Sequence, residues 1–323
     1  MKLPFLNRQD EKKRLKKALA EKEPILAIVY GRRRCGKSTL LNQVASNRDI
    51  YYLADMQEGS LQLSSAADQV ARVIPGFNDA KYPSWDSFLS TLNSRAPANT
   101  SLFVDEFPYL AQMSPEIPSI LQKFVDGRQA MNIVLCGSSQ RMMYGTVLDA
   151  KAPLYGRSRE ILKLLPLEPG WIREAVGMKG ADAFEAYATW GGIPRYWELA
   201  AEYERTREAI VDLVLDRNGV LHREAERLLV DDMRSAAQPH SLLSVIALGS
   251  NRISEIAARL GKPAVNLSRP LSILIDLGYI QRDIPFGEST KSTKRTLSKP
   301  EPMARCASAS LGSWSILIIV PRL

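Results

Sequence analysis

Two glycines, a lysine and a hydroxyl stand at fixed spacing in Gly31-Arg32-Arg33-Arg34-Cys35-Gly36-Lys37-Ser38, a complete G-x-x-x-x-G-K-S pattern. Each position has a use in holding a polyphosphate. Gly31 and Gly36 let the backbone turn tightly and approach phosphate oxygens, where a Cβ would collide. Lys37 supplies a point charge for β- and γ-phosphates, and the Ser38 hydroxyl is the expected Mg²⁺ ligand. Arg32, Arg33 and Arg34 fill variable positions whose ordinary role is solvated charge. With Cys35 and Thr39 they complete the expected nucleotide-binding set. Cys35 reads as a small residue that fits the loop, although a thiol near a helix N-terminus can have a lowered pKa.

The flanks give the pattern its meaning. Ile25-Leu26-Ala27-Ile28-Val29-Tyr30 is apolar and long enough for a buried strand, and Thr39 to Val44 continues at helical spacing. A strand, a glycine loop and a helix start aim backbone N–H groups and the positive end of a helix dipole at an anion.

Two further strand ends carry chemistry. Ser101-Leu102-Phe103-Val104-Asp105-Glu106 is an apolar strand closed by two carboxylates, the form of a Walker B site. Asp105 would hold a water in the Mg²⁺ shell, and Glu106 would polarise the attacking water. The adjacent glutamate favours hydrolysis over phosphoryl transfer to a small metabolite. Asn132-Ile133-Val134-Leu135-Cys136-Gly137-Ser138-Ser139 is another buried strand with small hydroxyls at its end. Ser138 or Ser139 there can sense a γ-phosphate; the alternative is a plain strand-to-loop turn.

The elements that must position these residues follow from periodicity. Strands near 25–30, 50–54, 101–105, 132–136 and 159–164, separated by helical or loop segments, predict an α/β domain with a parallel sheet. Ser84 is a candidate cap for a helix through Trp85 and Phe88. From 168 to 235 the text turns helical, with stretches at 183–187, 206–215 and 220–233. Between them lies Trp190-Gly191-Gly192-Ile193-Pro194-Arg195-Tyr196.

The stretch 240–297 has a different rhythm. Leu242, Leu243, Val245 and Ile246 predict a first short helix. Ile253, Ile256, Ala257 and Leu260 predict a second, which Gly261 ends. Val265, Leu267, Leu271, Leu274 and Ile275 predict a third, ended by Gly278. A strand from Tyr279, a basic hairpin and a return strand at 295–297 complete a winged helix-turn-helix pattern. Asn266, Ser268 and Arg269 would face a major groove, and Lys291, Lys294 and Arg295 would meet phosphates. Pro270 resists this reading, because it removes a backbone donor inside the third helix and should kink it. A winged helix also serves as a protein-interaction or intramolecular module.

Composition narrows the classes. With 323 residues, 45% of them hydrophobic, the chain can form two packed domains. The N-terminus runs directly into charged residues without a secretory pattern, and no apolar run is long enough for a bilayer span. Cys35, Cys136 and Cys306 show neither disulfide nor metal spacing, which fits a cytoplasmic protein in a reducing compartment. The net charge of +8 suits an anionic partner such as DNA. Part of it, from Lys12 to Lys17, reads as the solvated face of a helix whose apolar side carries Leu15 and Leu19.

Taken together, five segments resemble the archaeal-type ATPases of the STAND class, relatives of the AAA+ ATPases. They are Phe5 to Glu11, the phosphate loop, Phe103-Val104-Asp105-Glu106-Phe107-Pro108-Tyr109-Leu110, Leu154-Tyr155-Gly156-Arg157 and Gly191 to Tyr196. The resemblance covers about 3–297. It implies a P-loop NTPase core with strand order 5-1-4-3-2, a helical lid and a C-terminal winged helix. Domains at 1–166, 167–236 and 237–297 follow, with an atypical tail at 298–323.

The resemblance also implies site roles. Arg8 lies near the adenine side, Pro194 packs on the base from the lid, and Arg157 reaches γ-phosphate as sensor or finger. The alternative for Arg157 is a structural ion pair. Members look like switches: ATP holds the lid, and hydrolysis releases it. The tail departs from the family pattern, with lost periodicity and a shifted composition, as a frameshifted reading frame would produce.

The sequence thus predicts an ATP- and Mg²⁺-dependent switch that hydrolyses ATP and binds double-stranded DNA. The alternative is a nucleotide-gated protein-interaction module with slow turnover. Neither requires a membrane, and both allow an oligomer.

Overall fold

The computed structural model describes residues 3–127, 129–233 and 237–283, together with three short strands at 296–298, 307–309 and 316–318. The chain forms two compact units. One is Asn7–Leu165; the other joins the N-terminal residues up to Leu6 with Pro166–Leu323. Leu3 and Leu6 pack in an apolar cluster of the second unit.

The first unit is built on five strands: β1 (Leu26–Gly31), β2 (Ile50–Leu53), β3 (Ser101–Asp105), β4 (Asn132–Gly137) and β5 (Ser158–Leu164). They lie in the order β2-β3-β4-β1-β5, and every pairing is parallel. Central strands β1, β3 and β4 are almost wholly buried, as expected of a parallel sheet covered on both faces. Edge strand β5 alternates between exposed and buried positions.

Strand alternation sorts the side chains. Leu26, Ile28, Ile50, Tyr52, Leu102, Val104, Ile133 and Leu135 share one face. Four helices supply much of the rest of that core: α3 (Gly59–Ala71), α4 (Trp85–Arg95), α5 (Phe107–Met113) and α6 (Ile117–Asp126). Ser84 caps α4, its side chain accepting from Ser87 N–H. On the opposite face, α1 (Gln9–Leu19) packs against α2 (Lys37–Val44) and β5, with Leu15 and Ala18 buried and the lysines outward. A short helix, α7 (Gln140–Met143), and a π-turn over Tyr144–Leu148 follow β4.

The second unit contains two apolar clusters. The first gathers α8 (Ile172–Val176), α9 (Gly180–Trp190), α10 (Pro194–Ala200) and α11 (Thr206–Ile210), with Trp197 fully buried. Gly192 is required here by space: a Cβ would run into the Leu167 carbonyl and amide, while Leu167 N–H donates to the Gly192 carbonyl at 2.7 Å. The Gly-Gly-Ile-Pro run is thus a backbone-to-backbone contact rather than mere punctuation.

The second cluster joins Leu229 and Met233, from and just after α12 (Glu224–Asp232), to three helices, α13 (Ala237–Ala247), α14 (Ile253–Leu260) and α15 (Ala264–Asp276). Gly261 closes α14 at φ 60°. β6 (Gln281–Asp283) then pairs antiparallel with β7 (Thr296–Ser298). The expected third helix is α15, which contains Val265 and continues through Pro270. Val265 is 82% exposed; the buried stripe is Leu267, Leu271 and Leu274, and position 265 is out of phase with it. In the tail, β8 (Ala307–Ala309) pairs with β9 (Ile316–Ile318). Among the described residues, no helix is long and apolar enough to cross a membrane.

Candidate functional site

The C-terminal ends of β1, β3 and β4 converge because parallel strands all deliver their chain ends to the same edge of the sheet. From β1 the chain turns through the phosphate loop into α2. Gly31 belongs to the strand itself and pairs with Leu164 of β5. A Cβ at Gly31 would meet the Leu164 carbonyl oxygen. The neighbouring strand thus constrains this position as well as any phosphate would. Gly36 is the conformational glycine, at φ 87° with open space around it, and caps α2.

Lys37 is 5% exposed. Its ammonium donates to the Gly31 carbonyl at 3.1 Å and the Arg32 carbonyl at 3.0 Å. Two of its three protons thus tie it to the loop, and a third remains for an anion. Ser38 and Thr39 are exposed at the first turn of α2. Arg32, Arg33 and Arg34 lie in the loop, Arg34 in the left-handed region at φ 66°.

Arg8 is buried at 5% exposure. Its guanidinium donates to the Cys35 carbonyl at 3.4 Å, to Glu11 at 2.9 Å and to the Leu165 carbonyl. It braces the loop from beneath and ties it to the end of the sheet. Cys35 is fully buried, and burial pushes its thiol pKa up against the lowering influence of Lys37, Arg32 and Arg8. The idea of an activated loop thiol is overturned.

Asp105 ends β3 at 1% exposure. Its Oδ1 accepts the Glu106 amide at 3.0 Å, and its Oδ2 accepts the Tyr51 hydroxyl at 2.6 Å. The Ser38 side chain lies near the same phenol. Burial and the Asp105 charge drive the Tyr51 phenol pKa upward, so the group stays a protonated donor. Cys136 also lies beside Asp105, and its thiol is raised well above its usual value, first by burial and then by that carboxylate.

Glu106 sits in the left-handed region at φ 52°, as the cap of α5. A non-glycine residue is held there only by its surroundings. Ser138 provides part of that hold: its hydroxyl donates to Glu106 Oε2 at 2.7 Å and its amide at 3.2 Å. Ser139 instead faces back to the chain, accepting from the Met142 amide at 3.4 Å. Of the two serines at this strand end, Ser138 is the one that touches the carboxylate.

The remaining expected residues lie elsewhere. Arg157 forms a bidentate pair with Asp126, Nε to Oδ1 at 2.6 Å and Nη2 to Oδ2 at 2.8 Å. Its Nη1 donates to the Pro153 and Tyr155 carbonyls. Pro194 is the first residue of α10 in the second unit. Asn266, Ser268 and Arg269 are exposed on α15. Lys291, Lys294 and Arg295 lie outside the described residues. Tyr51 is the site residue that sequence motifs missed: the only hint was its place in an apolar strand, and its partner follows from strand register.

Cation chemistry fits this arrangement. Ser38 and Asp105 come from different elements, yet they share one hydroxyl neighbour, and both offer oxygen, the donor a hard divalent cation prefers. Among the described residues, no cluster of three or more histidine, cysteine, aspartate or glutamate side chains forms a protein-only metal cage. The fit is therefore to a magnesium ion arriving with a phosphate ligand.

Comparisons with known proteins agree with the geometry. The sequence profile of a family described as "ATPase domain predominantly from Archaea" matches residues 5–199. An uncharacterized protein of Methanocaldococcus jannaschii, MJECL04, is 30% identical over 296 residues, 90% of this chain. The chain spans 65% of that relative's length. Among solved structures, the Walker-type ATPase PABY2304 of Pyrococcus abyssi superposes with a TM-score of 0.68 at 20% identity, over 92% of this chain and 94% of that one. That similarity shows a shared fold.

Proposed function

Because the chain belongs to the family of ATPase domains found predominantly in Archaea, we propose that it binds MgATP, hydrolyses it, and couples nucleotide state to a DNA-binding winged helix. The observation that carries the reading is the contact of Ser138 with Glu106 beside the phosphate-loop strand. It aligns an acid fit to be a general base with a hydroxyl that can respond to the γ-phosphate.

In this reading the loop amides and Lys37 hold the polyphosphate, and Mg²⁺ bound by Ser38 and Asp105 supplies charge neutralisation. Glu106 takes the proton from water as the water oxygen bonds to the γ-phosphorus and the bond to ADP breaks. Ser138 orients Glu106 through the bonds already in place. ATP and ADP must bind with different affinity to the two arrangements of the protein, since a ligand with equal affinity for both shifts nothing. That requirement defines the STAND-like switch.

The order α13, α14, α15, then the β6–β7 pair, supports the winged-helix reading, and the exposed Asn266, Ser268 and Arg269 suit a duplex. One observation favours the competing reading, a protein-interaction module: Val265, an apolar side chain at 82% exposure on the same surface. Anisotropy with a random-sequence duplex separates the two. DNA binding predicts affinity that falls steeply as salt rises. Absent or salt-insensitive binding assigns the helix to a protein partner.

A further inference from the structure

Tyr51 belongs to no motif, yet its oxygen stands between two residues from separate elements. Parallel register pairs Tyr51 with Phe103 and Leu53 with Asp105, so residues 51, 103 and 105 share one face of the sheet. The Tyr51 ring stacks on Phe103, with centroids 6.3 Å apart and planes 16° from parallel. This fixes the ring and points its hydroxyl along the face to Asp105 Oδ2, 2.6 Å away. The Ser38 side chain, at the start of α2, lies near the same phenol.

We propose that Tyr51 is a positioning residue for the magnesium ion: its phenol sets the orientation of Asp105 and Ser38 before the cation arrives. The inference rests on the proposed MgATP site. The physical grounds are three. Asp105 is nearly inaccessible to water, so its carboxylate depends on protein donors for orientation and solvation. Its two oxygens are divided, Oδ1 to the Glu106 amide and Oδ2 to the phenol, so the plane of the carboxylate is fixed at both ends. The phenol, bonded to Asp105 of β3, also lies near Ser38 at the start of α2, so it stands where the two elements meet. Outer-shell donors of this kind orient the groups that hold a metal and tune its affinity.

The test uses the full chain and a fluorescent ATP analogue. Tyr51→Phe keeps the ring and its stacking while deleting the hydroxyl. Nucleotide binding is measured first in EDTA, then at fixed nucleotide with increasing Mg²⁺, for wild type, Tyr51→Phe and Asp105→Asn. The expected result for Tyr51→Phe is unchanged affinity in EDTA and a half-saturating Mg²⁺ concentration raised by about 10-fold. An unchanged or lower Mg²⁺ requirement overturns the proposal, the lower value because the phenol would then be competing with the ion. A matching loss in EDTA also overturns it, since that marks a general scaffold role. If Asp105→Asn raises the Mg²⁺ requirement and Tyr51→Phe does not, only the positioning role falls. If wild type shows no Mg²⁺ effect, the underlying site assignment falls with it.

Discussion

The phosphate-loop unit and the three-helix region at 237–283 carry their polar chemistry in opposite ways. In the first, Lys37, Asp105 and Arg8 are buried, and each is tied to backbone or to another side chain. In the second, Asn266, Ser268 and Arg269 stand exposed on a helix whose buried residues are Leu267, Leu271 and Leu274. Buried charge must be compensated, so the fold dictates where such groups go and what surrounds them. An outward-facing helix surface carries no such demand. Its residues are free to match a partner, and the partner is correspondingly hard to read from them.

Variants can sharpen this contrast. The largest effect belongs to Glu106→Gln, which removes the base yet leaves an amide able to bond Ser138. Turnover should fall by ~10²-fold or more while ATP binding persists. Steady-state hydrolysis alongside equilibrium binding checks this, and wild-type turnover in the variant would remove Glu106 from its role.

Gly31→Ala comes next, because its Cβ meets the Leu164 backbone rather than a flexible side chain. A stability loss of about 1–3 kcal/mol is expected for such overpacking. Thermal unfolding reads it; an unchanged Tm would mean that β1 and β5 adjust freely. The smallest effect should come from Arg269→Ala on the exposed helix. It should leave Tm unaltered, weaken duplex binding similarly for all sequences, and lower the salt slope by about 1 if this arginine meets a phosphate. A variant that binds like wild type would exclude Arg269 from the interface.

The same contrast governs what was legible beforehand. The central strands β1, β3 and β4 were readable because strands buried on both faces appear as continuous apolar runs, as in Ile133-Val134-Leu135-Cys136. The loop, Asp105 and Glu106 were readable because their spacing is set within single strands and turns. Helix α3 was harder: its buried positions Ala66, Ala67 and Gln62 are small or polar, and its apolar stripe is thin. Tyr51 and Gly31 owe their roles to neighbours on β3 and β5, more than 50 and more than 130 residues away. No local pattern encodes that register. Cys35 shows the limit of a local electrostatic argument: the loop supplies positive charge, but burial dominates.

Titration calorimetry with MgATP tests the central claim most directly, using wild type and Lys37→Ala shown to be folded by their thermal transitions. Wild type should give saturable heat at one site per chain, and Lys37→Ala should lose it, because the ammonium held by Gly31 and Arg32 is the loop's principal charge for phosphate. Folded wild-type protein giving no heat with MgATP or MgGTP would contradict the account, as would undiminished binding by the variant.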